Sequence, residues 1–252
     1  MQVETFYKII VIIYGVIIGS FLNVVIYRVP RHESIVVNRS HCMTCGKPIK
    51  WYDLIPLLSF IILGGKCRHC KTKLSLQYPI IEFTNGFGYA ILVIVNGVTV
   101  ESILYCLCSS ALLSLSVIDW RTYEIPVAFN IFIGILGIIK LVTDLEHWYV
   151  YIIGMISVGG FLYILVIASG GRAMGGGDVK LMAAAGLLLG WQKILLAFVI
   201  GSILGSIIHI TLMKIKNKES MLAFGPYLSA GIYICMVCGD ELIKLYLDTF
   251  VR

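Results

Sequence analysis

Two aspartates in apolar surroundings are the side chains of this sequence best suited to chemistry. Asp119 ends the apolar segment 112–118, and Asp178 follows three glycines and precedes a second apolar segment. Ionisable residues at membrane depth are costly and usually functional. Paired aspartates can hydrolyse a peptide bond, because a carboxylate accepts a proton from water while a carboxylic acid donates one to the carbonyl oxygen or the leaving amine. The pair predicts an aspartyl peptidase.

Each aspartate also has a purely structural interpretation. Asp178 could cap a helix N-terminus, and Asp119 could anchor a helix end by pairing with Arg121. The topology predicted below places both acids on the same side of the membrane. This shared position favours a functional role over two separate structural roles. The helix dipole favours charge at an N-terminus and disfavours it at a C-terminus. We therefore expect Asp178 to hold the charge and Asp119 the shared proton, while Gly175 and Gly177 let the backbone approach a substrate closely.

Four cysteines form two Cys-x-x-Cys pairs that are separated by 21 residues: Cys42, Cys45, Cys67 and Cys70. This spacing is typical of a structural zinc site, in which four thiolates leave no coordination position for catalysis. Two disulfides are the alternative, which the reducing cytoplasm disfavours. His41 and His69 stand beside the pairs and could replace a thiolate, although such residues are more often solvated. We expect a structural zinc ion.

The composition excludes an ordinary soluble domain. Of the residues, 59% are hydrophobic and only 13% are charged, with a mean hydropathy of +0.92. A membrane-spanning helix needs about 20 predominantly apolar residues. The first apolar run is expected to be a retained helix, because no cleavage site of small residues follows it. Eight segments are candidate spans: Ile9–Tyr27, Pro79–Val95, Ser102–Ile118, Pro126–Val142, Trp148–Ala168, Val179–Gly190, Lys193–Met213 and Phe224–Leu247.

The predicted fold is an all-α polytopic membrane protein of about eight transmembrane helices with a small cytoplasmic zinc-ribbon-like insert. Its expected divisions are a first helix (1–27), the four-cysteine insert (28–78) and a helical peptidase bundle (79–252). The twelve residues of Val179–Gly190 rise only about 18 Å as a helix. They either extend through Trp191 or belong to a broken helix among its neighbours. The run Leu54–Leu63 is expected at the membrane interface or inside the insert.

Charge predicts the orientation. One side of the expected topology, which comprises the insert and the loops near 119–125, 169–180 and 214–223, carries fifteen of the twenty Lys and Arg residues. The positive-inside rule places that side in the cytoplasm. The basic insert is expected to lie against anionic membrane lipid. No nucleic-acid recognition motif accompanies the net charge of +6, so no nucleic-acid partner is expected.

These residues resemble the bacterial type IV prepilin peptidases, a family of leader peptidases and N-methyltransferases. The resemblance extends from Gly15 almost to the C-terminus. Its motifs are Gly19–Arg28, the two cysteine pairs with Ile55–Ser59 between them, Tyr78–Glu82, Asp119-x-Arg121 with Ile125-Pro126, Gly175–Lys180 and Phe224–Pro226.

The resemblance implies that Asp119 and Asp178 are catalytic, with Arg121, Gly175, Gly177 and Lys180 in support. It implies prepilin or pseudopilin substrates of pilus, competence or type II secretion systems, which are cut after a basic leader at the cytoplasmic face of the bacterial plasma membrane. It also implies S-adenosylmethionine as a methyl donor, for which the insert and the neighbouring helix ends, including Glu82, offer a location.

Two other classes of function remain open from the sequence. A cation-coupled transporter could bind its ion through the two acids, although they lie near one membrane face and no related halves are visible. A membrane scaffold could dock a partner through the zinc module, but it would have no use for the Gly-Gly-Gly-Asp segment.

Overall fold

The computed structural model describes residues 2–37, 39–171, 174–216 and 222–250, and the regular structure in these ranges is helical, without a strand. The α-helices are α1 (Gln2–Arg28), α2 (Leu58–Ile62), α3 (Gln77–Val95), α4 (Val100–Thr122), α5 (Val127–Thr143), α6 (Trp148–Ala168), α7 (Gly176–Leu189), α8 (Trp191–Lys216) and α9 (Gly225–Phe250). Short 3-10 helices occupy Val29–Arg31, Trp51–Leu54 and Leu145–His147.

The chain is a multi-pass membrane protein, as predicted. Five helices in the described ranges, α1, α3, α4, α6 and α8, are long and apolar enough to cross a bilayer, and α5 is a shorter apolar helix. Each of the eight predicted spans coincides with one of the α-helices other than α2, usually within a few residues at either end. The short α7 and the more polar α9 do not meet the same criterion. That α7 and α9 cross the membrane stays a prediction, and so does the cytoplasmic orientation of the insert. Two of the basic residues counted for that orientation, Arg172 and Lys218, lie outside the described ranges.

The chain divides into two compact units, Met1–Ser114 and Leu115–Arg252. In the first unit, α1 and α3 pack through glycines. A Cβ atom on Gly19 would lie 2.7 Å from the Cα atom of Glu82, and one on Gly86 would overlap Val16. Small residues allow helix backbones to approach closely in lipid, where dispersion replaces the hydrophobic effect as the driving force.

In the second unit, α7 is a short helix buried among its neighbours, which is one of the two alternatives left by the sequence. It ends at Leu189 because Gly190 adopts a left-handed conformation (φ 82°), and α8 begins at the next residue. Most of α7 is buried. Its Gly186 faces Gly154 of α6 so closely that a Cβ atom on either would overlap the other's carbonyl oxygen.

We predict that Gly154→Ala destabilises the second unit by about 1–3 kcal/mol, because the added methyl group must push α6 away from α7. Gly160→Ala on the same helix is the matched control, since its Cβ atom would meet only Ile156 at 3.6 Å. The measurement is the thermal unfolding midpoint of each purified variant in detergent. Equal midpoints for the two variants would contradict this packing.

Candidate functional site

Asp119 is buried at the end of α4, with only 4% of its surface exposed. The backbone N–H of Gly225, the first residue of α9, donates a hydrogen bond of 2.9 Å to its Oδ2 atom. Only glycine permits this approach, because a Cβ atom at position 225 would lie 2.7 Å from the same oxygen. Asp119 therefore lies at the C-terminus of its own helix and also at the N-terminus of α9.

Asp178 is the third residue of α7 and is 9% exposed. The segments that carry the two acids meet at Ile125, because a Cβ atom on Gly177 would lie 3.0 Å from its side chain and one on Gly225 would lie 3.3 Å from it. Within the described residues, no hydrogen bond reaches the Asp178 carboxylate, whereas its backbone N–H donates to Gly175 at 3.2 Å. The structure thus brings together the two acids that the sequence singled out, in surroundings largely closed to water.

Asn130 of α5 holds the glycine segment and is a residue that the sequence reasoning missed. Its side-chain Nδ2 donates to the carbonyl of Gly177 at 3.3 Å, and its Oδ1 is buried without a partner among the described residues. Ile125 lies against Gly177, where a Cβ atom would approach to 3.0 Å. An asparagine inside an apolar helix is itself a signal, because a buried amide needs hydrogen-bond partners.

The remaining expected site residues lie nearer the surface. The side chains of Arg121 and Lys180 are exposed, Gly175 is exposed, and Gly177 is partly buried.

The four predicted cysteines of the first unit form one cluster, in which all four sulfur atoms lie within 4.8 Å of one another. The Sγ atoms of Cys42 and Cys70 are 3.7 Å apart. A tetrahedral zinc ion with Zn–S bonds of about 2.3 Å holds its sulfurs about 3.8 Å apart, whereas a disulfide needs about 2.05 Å. The cluster therefore fits a metal ion, and His41 and His69 are exposed beside it.

The two cysteine pairs are built alike. The backbone N–H of Cys42 donates to the carbonyl of Lys47, and that of Cys67 donates to the carbonyl of Thr72, in each case five residues later. Hydrogen bonds from the side chain and backbone of Thr72 lower the pKa of Cys70 to about 6. Backbone hydrogen bonds from Cys45 and Thr44 likewise lower the pKa of Cys42. Both shifts favour the thiolate, which is the form that binds metal. Against a backbone hydrogen bond from Lys47, desolvation and the neighbouring sulfurs of Cys42 and Cys70 raise the pKa of Cys45 to about 11, since four thiolates without a cation repel one another.

A cavity of about 570 Å³ lies beside the cysteine cluster, within the first unit. Its lining includes three buried polar side chains, Asn23, Arg28 and Glu82. Glu82 accepts a hydrogen bond of 2.8 Å from the N–H of Leu57, and Arg28 donates to the carbonyl of Ser34 at 3.1 Å. Cavities of this volume hold small organic ligands. This cavity is lined by one buried acidic side chain, Glu82, and one buried basic side chain, Arg28.

Comparison with known proteins places these features in a family. The model of the bacterial peptidase A24 N-terminal domain matches residues 13–96, and that of the type IV leader peptidase family matches residues 106–210. A prepilin leader peptidase/N-methyltransferase from Bacillus subtilis is 33% identical over 94% of this chain and 97% of its own. Proteins of the same name from Pseudomonas aeruginosa and Pseudomonas putida are 28% and 30% identical, over 94% and 90% of this chain and 92% and 89% of theirs. No solved structure matches significantly.

The chain belongs to the type IV leader peptidase family, an aspartic peptidase family, which confirms the resemblance read from its motifs. The family models together cover both the cysteine cluster and the aspartate pair.

We predict that purified protein carries about one zinc ion per chain and that Cys67→Ser loses it, because three thiolates hold the ion far more weakly than four. Cys238→Ala is the matched control, since Cys238 lies in α9 and its thiol donates to the carbonyl of Ile234. Metal content is measured by mass spectrometry of the purified variants. Zinc retained in Cys67→Ser, or absent from the unmodified protein, would contradict the assignment.

We predict that Gly225→Ala slows leader cleavage by about 10²-fold, because the new methyl group displaces the Asp119 carboxylate and a small misplacement of a reacting group has effects of this size. Gly134→Ala on α5, where a Cβ atom meets nothing within 4 Å, should cleave at the normal rate. Single-turnover cleavage of a purified prepilin compares the two. Normal cleavage by Gly225→Ala would show that the contact is dispensable.

Proposed function

We propose that this chain is an intramembrane aspartyl endopeptidase that removes the basic leader of type IV prepilin-like substrates, with Asp119 and Asp178 as its catalytic residues. The observation that carries the proposal is the buried, electrostatically coupled pair of acids in a chain that belongs to a leader peptidase family. The family disfavours the transporter and scaffold alternatives.

Two like charges in a desolvated site do not both ionise, so the pair shares one proton. The N–H of Gly225 and the N-terminus of α9 stabilise charge on Asp119, whereas Asp178 has no comparable donor among the described residues. We therefore assign the charge to Asp119 and the proton to Asp178 in the resting pair. This reverses the assignment expected from each residue's own helix, although the pair titrates as a unit.

In the proposed reaction, Asp119 accepts a proton from water as the water oxygen attacks the carbonyl carbon of the scissile peptide bond. Asp178 gives its proton to the carbonyl oxygen, which forms a neutral tetrahedral intermediate. When the carbon–nitrogen bond breaks, the proton on Asp119 passes to the leaving amine and the proton on the intermediate's hydroxyl returns to Asp178. The original protonation of the pair is thereby restored.

The proposed setting is a bacterial plasma membrane, with the insert in the cytoplasm. The excess of Lys and Arg on that side supports this orientation. A substrate with a hydrophobic helix in the bilayer and a leader in the cytoplasm would present its scissile bond to acids near the cytoplasmic ends of α4 and α7. The division into a first helix (1–27), an insert (28–78) and a peptidase bundle (79–252) belongs to this proposal.

We further propose that the chain methylates the amine freed by cleavage, and the names of its relatives, which include N-methyltransferase, support a methyl transfer. S-adenosylmethionine would supply the methyl group, and the cavity of the first unit suits it in volume and charge. Buried Glu82 matches the sulfonium or amino group of the donor, and buried Arg28 matches its carboxylate. The zinc ion would hold the cavity wall in place, since Cys42 and Cys67 also line the cavity.

We predict that Asp119→Asn and Asp178→Asn each lower cleavage by at least about 10²–10⁴-fold, the usual contribution of a general acid or base, while both variants still insert into the membrane. Asp248→Asn, an exposed aspartate of α9, is the control and should cleave normally. Product masses after incubation with a purified prepilin give the readout. Substantial cleavage by either variant would refute the assigned roles.

We predict that Glu82→Gln weakens S-adenosylmethionine binding by about 10–100-fold, which corresponds to the free energy of a hydrogen bond to a charged group. The substitution removes the negative charge of the carboxylate, while the amide oxygen of glutamine still accepts the hydrogen bond from the Leu57 N–H. Glu146→Gln, at an exposed position, serves as the control. Equilibrium dialysis with the radiolabelled donor measures binding, and leader cleavage is measured in parallel. Unchanged binding in Glu82→Gln would exclude this cavity, whereas no binding by the unmodified protein would exclude methyl transfer and leave the peptidase intact.

A further inference from the structure

The helix α2 of the insert has two different faces. Ser59, Phe60 and Leu63 line the cavity of the first unit. The opposite face consists of Leu58, Ile61 and Ile62, which are 59%, 73% and 78% exposed. These three residues follow the spacing of one helix face, and Ile55 just before the helix is also exposed. A fully apolar outer face on a polar insert calls for an apolar partner.

The structure fixes where along the membrane helices this face lies. The N–H of Leu57, immediately before α2, donates to the carboxylate of Glu82 at 2.8 Å. Glu82 is the sixth residue of α3, so its backbone lies about 7.5 Å along the axis from the start of that helix. The start of α2 is therefore held beside the opening turns of a helix that is long and apolar enough to cross a bilayer.

The charge around this apolar face matches a lipid surface. Residues 28–73 contain nine Lys and Arg against two acids, a net charge of +7. One of those acids, Asp53, is engaged by Arg68 at 2.8 Å and is hardly exposed. The exposed basic residues of the two cysteine loops and their neighbours are Lys47, Lys50, Lys66, Arg68, Lys71 and Lys73. Such clusters attract anionic headgroups by about 1 kcal/mol per residue close to the surface.

An aromatic side chain completes the pattern. Trp51, in the 3-10 helix before α2, is 79% exposed. Tryptophan is enriched at the boundary between headgroups and acyl chains, because its ring is apolar while its N–H needs a polar partner.

We propose that the outer face of α2, with Trp51, inserts into the anionic surface of the bilayer that α1 and α3 cross, and so anchors the insert to the membrane. Both flanks of the insert already enter that bilayer, through the end of α1 and the start of α3, so the lipid surface is within reach without any second protein. The anchor holds the zinc cluster and the cavity at the membrane surface. It does not depend on the proposed peptidase chemistry.

The test uses the full chain with Trp120, Trp148 and Trp191 replaced by phenylalanine, so that Trp51 is the remaining tryptophan. The protein is reconstituted in vesicles of phosphatidylcholine and phosphatidylglycerol at a ratio of 3:1, with or without bromine at carbons 6 and 7 of the acyl chains. We expect brominated lipid to quench at least half of the Trp51 emission and aqueous iodide to quench little. Strong iodide quenching without lipid quenching would overturn the proposal, as would protection from both quenchers, which indicates a protein partner or a second copy.

Two double variants in this background give the matched comparison. Ile61→Asn with Ile62→Asn should reduce lipid quenching of Trp51 by more than half. Val36→Asn with Val37→Asn, at positions 85% and 81% exposed elsewhere in the insert, should leave it unchanged. Zinc content is measured in both, so that a loss of quenching with zinc retained is assigned to the anchor and not to unfolding. Unchanged quenching in the Ile61/Ile62 variant, or equal quenching in vesicles of phosphatidylcholine alone, would contradict an anionic lipid anchor.

Discussion

The burial of two carboxylates on helix ends that meet at Ile125 constrains the second unit of this protein. Two charges in a desolvated site repel each other and lose hydration, so the arrangement persists only if one proton is shared and the remaining charge has a donor. Asp119 has such a donor, because the N–H of Gly225 at the start of α9 reaches its carboxylate at 2.9 Å. Three helix ends must therefore meet at one point: the end of α4 and the starts of α7 and α9.

Glycine makes this convergence possible at several levels. Gly225 lets a backbone amide touch a carboxylate, and Gly177 lies against Ile125 with its carbonyl held by Asn130. Farther along α7, Gly186 lies almost backbone to backbone against Gly154 of α6. In lipid, where helices gain little from burying apolar side chains, such close contacts contribute much of the association energy. The packing that stabilises the second unit and the positioning of its acids thus both rely on glycine, although at different positions.

The first unit is organised around Glu82. Its carboxylate accepts the Leu57 N–H and thereby ties the insert to α3, and it also faces the cavity beside the cysteine cluster. Leu57 adopts a positive φ of 60°, a conformation that is costly for a branched side chain and that is held in place by this bond. Glu82 therefore has two roles in the first unit: it fixes the fold of the insert, and it faces the cavity in which a ligand would bind. The same link holds the start of α2 beside the first turns of α3, while the apolar face of α2 stays exposed.

The sequence by itself determined the features that depend on composition and spacing. Apolar runs of about 20 residues predict membrane helices, two Cys-x-x-Cys pairs predict a four-thiol cluster, and acids are rare enough in apolar segments to identify Asp119 and Asp178. Only the tertiary structure shows the hydrogen-bond donor beside Asp119, because the N-terminus of α9 approaches Asp119 across more than a hundred residues of chain, and a helix dipole read along the sequence cannot include it. The contact of Asn130 with Gly177 and the link between α2 and α3 were hidden for the same reason: each depends on a hydrogen bond between residues distant in the sequence, and local patterns carry no information about such partners.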